Sequence, residues 1–246
     1  MILSIIIPYT EGDSTRMKAL AKLMLCVDEQ DYADYELIVP EVIFSGEKSF
    51  PFECDKHLVL KADPPFNKSW VINVAVRNCK SKHILVLDAD IRFENDFFSR
   101  VVKFIDNRKF FVAYSTIICE KGRDNIDRRE MPAHVVKSAG GAWYVNKDFF
   151  WEVGGMNEKY YGYGAEDNDM WQRVKFVQGE VEYMPYTIIH TYHHWHPPDS
   201  NFPLNPDRVK LFEDTVKDIG GEIERLKKLK QGRNKPCQAN ITNQKL

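Results

Sequence analysis

The first ninety residues alternate short apolar runs with amphipathic stretches. Ile2-Leu3-Ser4-Ile5-Ile6-Ile7 is apolar almost throughout and stops at Pro8, the pattern of a strand buried on both faces. Met17, Leu20, Met24 and Val27 then return at helical spacing, with Asp13 or Ser14 placed to cap the helix. Tyr35 to Phe44, centred on Glu36-Leu37-Ile38-Val39, reads as a second strand and His57 to Leu60 as a third. A helix is expected over Asn67 to Lys80, then a fourth strand, His83 to Leu87, running into Asp88. This alternation predicts an α/β fold, a mostly parallel central sheet with helices on both faces. In such sheets ligands sit beyond the carboxyl ends of the strands, where Pro8-Tyr9-Thr10 and Asp88-Ala89-Asp90 both fall.

Farther on, Phe97, Phe98, Val101, Val102 and Ile105 share one face of a helix over Asn95 to Asn107. Phe110 to Cys119 is β-rich, and Glu120 to Pro132 is charged enough to read as an exposed loop. A short helix is expected from Asn146. Met170, Trp171, Val174 and Val177 make an amphipathic helix whose opening turn is Glu166-Asp167-Asn168-Asp169. Val181 to His190 reads as a strand interrupted at Pro185, followed by a His-rich loop. A last helix should start with Asn205 as cap and Pro206 as first helical residue, and break at Gly220-Gly221. The polar, basic tail from Gln231 is expected to be disordered. The partition is a main domain over 1–205, a helical segment over 206–230 packed on it, and a tail over 231–246.

With 246 residues the chain can bury one large core. Its net charge of -2 gives no whole-protein attraction to nucleic acid or anionic membrane, so anion binding must be local. The five cysteines, at 26, 54, 79, 119 and 237, form no Cys-x-x-Cys pair. An odd, unpatterned set fits reduced thiols in a cytoplasmic setting. The opening apolar run is too short for a signal core and lacks a basic leader, and no run is long enough to span a bilayer. A segment of a longer, anchored protein would look the same, and peripheral membrane contact stays compatible with the sequence.

Two carboxylates spaced i, i+2 at a strand end would point to one side and can seat Mg²⁺ or Mn²⁺, which prefer oxygen ligands. An isolated Asp-x-Asp more often just marks where a strand meets solvent. A second metal signal is the set of four histidines between His190 and His196, with His193 and His196 three apart. Packing against Trp195 and the prolines explains those histidines equally well. The acids opening the 166 helix suit its dipole, and one of them can instead serve as a general base. The preceding Tyr160-Tyr161-Gly162-Tyr163-Gly164 offers aromatic faces of the kind sugar rings lie against. Lys68 and Arg77 flank the helix before the Asp-x-Asp strand and can neutralise a diphosphate or simply stay solvated.

Taken together, these motifs resemble a GT-A fold glycosyltransferase, in particular the β-1,4-galactosyltransferase-like group and its bacterial family 2 relatives. Ser4-Ile5-Ile6-Ile7-Pro8-Tyr9 resembles the first strand and nucleotide-contacting turn. Phe66-Asn67-Lys68-Ser69-Trp70-Val71-Ile72-Asn73-Val74 is similar to the family's Phe-Asn-Arg/Lys…Leu-Asn-Val/Ile helix. Asp88-Ala89-Asp90 matches the Asp-x-Asp motif. Gly140-Gly141, then Asn146 to Phe150 and Gly154 to Asn157, keep the family order. Tyr161 to Asp169 resembles the Trp-Gly-Trp-Gly-Gly-Glu-Asp-Asp-Asp box, and His193 to His196 fall where a final metal ligand stands.

The resemblance implies a metal-dependent inverting transfer of Gal, GalNAc or GlcNAc from a UDP-sugar to a hydroxyl of a glycan or glycolipid. It implies Asp167 as base with Glu166 orienting a substrate, and Mn²⁺ or Mg²⁺ on Asp90, Asp88 and His193 or His196. It implies donor contacts from Pro8, Tyr9, Glu41, Lys68, Asn73, Arg77, Asp88, Ala89, Gly140 and Gly141. Three departures stand out. Glu41 is a displaced substitute for the family's nucleobase acid, Asn168 replaces the box's third acid, and Ser138 stands where galactose-specific relatives have Tyr. The smaller Ser138 suggests room for a 2-acetamido group. Two rival readings are a non-catalytic glycan-binding module and a nucleotidyltransferase, although Pro8-Tyr9-Thr10-Glu11-Gly12 is not the latter's Gly-rich, Arg-containing loop.

Overall fold

A computed structural model describes residues 2–11, 14–44, 46, 50–113, 116–118, 141–185, 191–193, 203–229, 232 and 240–242. The opening apolar run forms β1 (Leu3–Ile6), and the chain turns at Pro8 into the short β2 (Tyr9–Thr10) and then α1 (Ser14–Asp28). There follow β3 (Tyr35–Ile43), β4 (Lys56–Lys61), α2 (Lys68–Asn78), β5 (His83–Leu87), β6 (Ile91–Arg92) and α3 (Phe97–Ile105). The middle of the chain supplies β7 (Phe110–Val112), β8 (Thr116–Ile118), β9 (Ala142–Asn146), α4 (Lys147–Glu152) and α5 (Glu166–Gln178). Last come β10 (Thr191–His193), α6 (Arg208–Lys217), α7 (Ile219–Lys228) and β11 (Asn240–Thr242).

The main sheet runs β11-β4-β3-β1-β5-β9-β7, with β2 paired to β3. Its centre, β4-β3-β1-β5, is parallel, and β9, β7 and β11 join antiparallel at the flanks. Period-two alternation sorts each strand between two cores. Leu3, Ile5 and Ile7 face α1 and α3, while Ile6 faces α2, α4 and α5. On the first side, Leu20, Leu23 and Met24 of α1 and Phe98, Val101 and Ile105 of α3 are buried. On the second, Val71, Val74, Phe150, Met170 and Val174 cover the sheet. Each such side chain contributes roughly 1.5–3 kcal/mol of burial. This is the expected α/β architecture.

Three expectations need correction. The last helix begins at Arg208, because Asn205 first closes a turn, its Oδ1 accepting from the Asp207 N–H at 2.9 Å. It breaks at Asp218 and not at the glycines: the Asp218 carboxylate accepts from the Gly221 N–H at 2.9 Å and caps α7, leaving Gly220-Gly221 in that helix's first turn. The tail is not wholly without structure, since β11 pairs with β4 through Asn240↔Val59 and Thr242↔His57. Of the strand expected over 181–190, Tyr183 makes an isolated bridge to Val112 and 186–190 lie outside the described residues, as does the 120–132 loop.

Candidate active site

Beyond the carboxyl end of β5 the chain leaves the sheet. Asp88-Ala89-Asp90 is a turn between β5 and β6, not a continuation of the strand, and Asp88 N–H donates to the Gly141 carbonyl at 2.9 Å. The i, i+2 strand argument therefore does not apply as stated, and each carboxylate has its own nearest cation, although the two acids and His193 still act on one another electrostatically. Asp88 meets Lys68, whose Nζ lies 2.8 Å from Oδ1. Asp90 meets His193, with Nε2 3.4 Å from Oδ2. That second meeting follows from strand register. In the small sheet β6-β10-β8, β10 is antiparallel to β6 and sets His193 opposite Ile91, the residue after Asp90.

Lys68 is the first residue of α2. The start of that helix is fixed by Asn67, whose Oδ1 accepts from the Trp70 N–H at 2.9 Å and whose Nδ2 donates to the Glu158 carbonyl at 2.8 Å. Held there, Lys68 also reaches Asp167 Oδ2 at 3.4 Å, so one ammonium bridges the Asp-x-Asp turn and the acidic start of α5. The loop before α5 is equally constrained. Gly162 adopts φ +66°, and a Cβ there would lie 2.1 Å from the Pro203 carbonyl oxygen. Its N–H donates to the Phe66 carbonyl at 2.7 Å, tying the loop to the approach of α2. Glu166 Oε2 accepts from the Gly164 N–H at 3.1 Å, closing the loop on the helix it opens.

Burial and crowding tune these groups. Asp167, with a side chain 15 % exposed, has its pKa pushed up to about 8, mainly by burial and then by the Glu166 and Asp88 charges, with Lys68 opposing. Asp167 Oδ1 is buried with no hydrogen-bond partner among the described residues. Burial likewise raises the Asp88 pKa, helped by Asp90 and opposed by Lys68 and His193. Burial would lower the Lys68 pKa, but the carboxylates of Asp167, Asp88 and Glu166 hold it well above the usual lysine range. His193 shows the same balance: burial lowers its pKa, and Asp90 and Asp88 outweigh it.

Asp90 Oδ2 and His193 Nε2 fit neighbouring positions on one ion. Two ligands each about 2.1 Å from a divalent cation at right angles stand roughly 3 Å apart. A carboxylate oxygen with a neutral imidazole nitrogen suits Mn²⁺ and similar ions. Among the described residues no group of three or more His, Cys, Asp or Glu that could hold a metal gathers there. His196, the alternative ligand, lies outside the described residues.

Other expected site residues divide. Gly141 and Ala89 stand at the turn beside Asp88, whereas Gly140 and Ser138 lie outside the described residues. Pro8 and Tyr9 are buried, Tyr9 in β2 against Phe50 with ring centroids 5.8 Å apart. Three expected donor contacts are engaged with other partners. Glu41 is fully buried, 2.7 Å from His57 Nε2, and accepts from the Phe50 N–H at 3.0 Å. Asn73 is also fully buried, exchanging hydrogen bonds with the Met156 backbone in both directions, at 2.8 and 2.9 Å. Gly155 leaves room for this, since a Cβ there would lie 2.9 Å from Asn73 Oδ1. Arg77 sits at the far end of α2 from Lys68, its guanidinium 4.2 Å over the Trp151 ring.

Sequence reasoning missed a buried network behind the site. Asp169 and Arg173 are both fully buried and paired at 2.7 Å. Thr215 Oγ1 donates to Asp169 at 2.6 Å, and Tyr160 OH approaches the same carboxylate at 3.4 Å. Arg173 also donates to the carbonyls of Val153 and Gly155. The i, i+4 Asp-Arg spacing on a helix was the available signal.

Comparison with known proteins identifies the fold. A family model described as the N-terminal domain of galactosyltransferase matches residues 123–197, a stretch that includes Gly141, Asp167 and His193. Among solved structures, the catalytic domain of Drosophila β-1,4-galactosyltransferase 7 with xylobiose is 13% identical with a TM-score of 0.57, covering 86% of this chain and 79% of that one. S. aureus TarS 1–349 with UDP-GlcNAc is 12% identical with a TM-score of 0.61, covering 92% and 70%. GalNAc-T7 with UDP, GalNAc and Mn²⁺ is 14% identical with a TM-score of 0.59, covering 87% and 47%. The chain has the GT-A fold of glycosyltransferases, and the galactosyltransferase match supports that enzyme class, as the motifs implied. Among the described residues no helix is long and apolar enough to cross a membrane.

Proposed function

We propose that this protein transfers a sugar from a UDP-linked donor to a hydroxyl of a glycan or glycolipid, with inversion at the anomeric carbon. The observation that carries the proposal is the Lys68 ammonium set between Asp88 and Asp167, beside the facing pair Asp90 and His193. Lys68 receives the donor diphosphate. Asp90 and His193 hold a Mn²⁺ or Mg²⁺, with Asp88 contacting the metal or the nucleotide. When bound, that ion supplies positive charge to the departing diphosphate. Asp167 takes the proton from the acceptor hydroxyl, whose oxygen bonds to the anomeric carbon as the bond to UDP breaks and its electron pair leaves with the phosphate. A carboxylate pushed up to about 8 is a stronger base than a solvated one and suits this role near neutral pH. Glu166, bonded to the Gly164 N–H, fixes the loop that orients the acceptor.

The similar structures with UDP-GlcNAc and with GalNAc support a 2-acetamido donor, in keeping with Ser138. A variant of the Drosophila enzyme holds manganese, UDP-Gal and xylobiose, which supports the metal and the glycan acceptor. A cytoplasmic protein with peripheral membrane contact fits the reduced-cysteine pattern and a glycolipid acceptor. UDP release measured with a panel of UDP-sugars, with Mn²⁺ and with EDTA, tests the reading. Turnover should need metal and favour an N-acetylhexosamine donor. Exclusive use of UDP-galactose rejects the acetamido assignment, and no turnover with any donor rejects the transferase.

A further inference from the structure

A cavity of about 810 Å³ opens on the other side of the first turn of α2, between the β4–α2 loop, the Glu158–Tyr161 segment and α6. Its apolar walls are Trp70, Tyr161, Pro65 and Leu211. Lys61, Lys159 and Lys210 line it together with Asp63, Asp207 and Asp214, so charge of both signs is interleaved around it. A further wall residue, Glu158, already accepts from the Asn73 amide and the Gly232 N–H. The three lysines make no ion pair among the described residues. Trp70 is 6 % exposed, and its indole N–H is buried without an acceptor among those residues.

We infer that this cavity binds an oligosaccharide, the part of the acceptor chain that extends beyond the reacting sugar. Alternating acids and amines offer both acceptors and donors, which suits neutral rings whose every hydroxyl does both. A polyanion would meet the wall carboxylates, and a purely apolar ligand would strand the lysines. The aromatic and proline faces match the C–H faces of sugar rings. The volume exceeds what one hexose fills and falls within the range of sites that enclose a small molecule, about 300–1,000 Å³.

The cavity is lined by chain neighbours of the reaction centre. Asn67 lines it while the next residue, Lys68, bridges Asp88 and Asp167. Tyr161 lines it while Gly162 is bonded to Phe66, and the same loop opens into Glu166 and Asp167. An oligosaccharide seated here lies against the segments that lead into Lys68 and Asp167.

The acceptor role rests on the proposed transferase, but binding can be read without turnover. The full chain is applied to a printed oligosaccharide array, and glycans it retains are titrated by calorimetry, alongside a separate titration with UDP and Mn²⁺. Leu211→Trp fills the cavity and should weaken oligosaccharide binding at least about tenfold, a loss of 1.4 kcal/mol, with UDP affinity unchanged. Tyr161→Ala, which removes a wall without adding bulk, should weaken it similarly and covers the case in which the larger side chain prevents folding. Retention of no oligosaccharide by the unmodified chain overturns the inference, as does binding that both variants leave intact. Oligosaccharide binding lost in the variants, in a protein that turns over no UDP-sugar, supports the cavity and rejects the transferase.

Discussion

Two carboxylates of the same helix turn, Asp167 and Asp169, stand two residues apart and meet opposite fates. Asp169 is fully buried and fully engaged, by Arg173, Thr215 and Tyr160. Asp167 shares one distant ammonium with Asp88 and keeps one oxygen without a partner among the described residues. The contrast shows how one acidic turn serves two ends. The acid facing inward is satisfied and anchors α6 to α5. The acid facing the cleft is under-satisfied and holds its proton more tightly, which is what proton transfer requires.

The sharpest break of this comparison is a pair of isosteric changes. Asp167→Asn should lower turnover by about 10²–10⁴-fold with UDP affinity nearly intact, read by steady-state kinetics and calorimetry. Asp169→Asn should instead lower stability by about 3–5 kcal/mol, since it leaves Arg173 buried without its counter-charge; urea unfolding measures it. If the two variants exchanged phenotypes, the division of roles would be wrong.

A smaller effect lies in pH. The Asp167 pKa is raised from 3.8 to about 8, so kcat/KM should climb with pH and level off above that value. Lys68→Met should move the climb to higher pH, because the ammonium opposes the rise. Stability carries the matching sign. The folded chain holds this proton more tightly than the unfolded one, so the contribution is complete below pH 3.8 and is lost as pH rises through about 8. The melting temperature of Asp167→Asn relative to the unmodified chain should therefore increase across that window, and a flat difference would contradict the assignment. Least in size is Ala165→Gly. Ala165 adopts φ 70° as the cap of α5, a left-handed conformation that glycine takes freely, and the change should stabilise by about 0.5–1 kcal/mol in the same unfolding assay.

Much of this arrangement could be read from the residues alone. Apolar runs and their spacing located the parallel strands and the helices between them, and three distant segments do converge: Lys68 and Asp88 with Asp167, Asp90 with His193. What periodicity could not give was direction. Asp88 and Asp90 were expected to aim together from one strand; instead they sit on a turn just after Leu87 and have different nearest cations, Lys68 and His193. Asn73 and Arg77 share a helix with Lys68, but only the residue at its amino end faces the cleft. Asn73 falls on the buried face and Arg77 lies at the opposite end of α2. Glu41, read as a displaced substitute for the nucleobase acid, alternates inward against His57. The bend at Asp218 was hidden because the glycines nearby are the more familiar helix breakers, whereas the capping aspartate set the break.

The short strand β11 has a bearing on how the molecule behaves in company. It lies along the outer side of β4, occupying hydrogen-bonding positions that would otherwise be open beside the apolar Leu58-Val59-Leu60. Removing the stretch that carries it would leave an open template for strands of other molecules, so a shortened chain should cluster with rising concentration while its chemistry stays intact. The last residues of the fold thus work as a guard on solubility, far from any sugar.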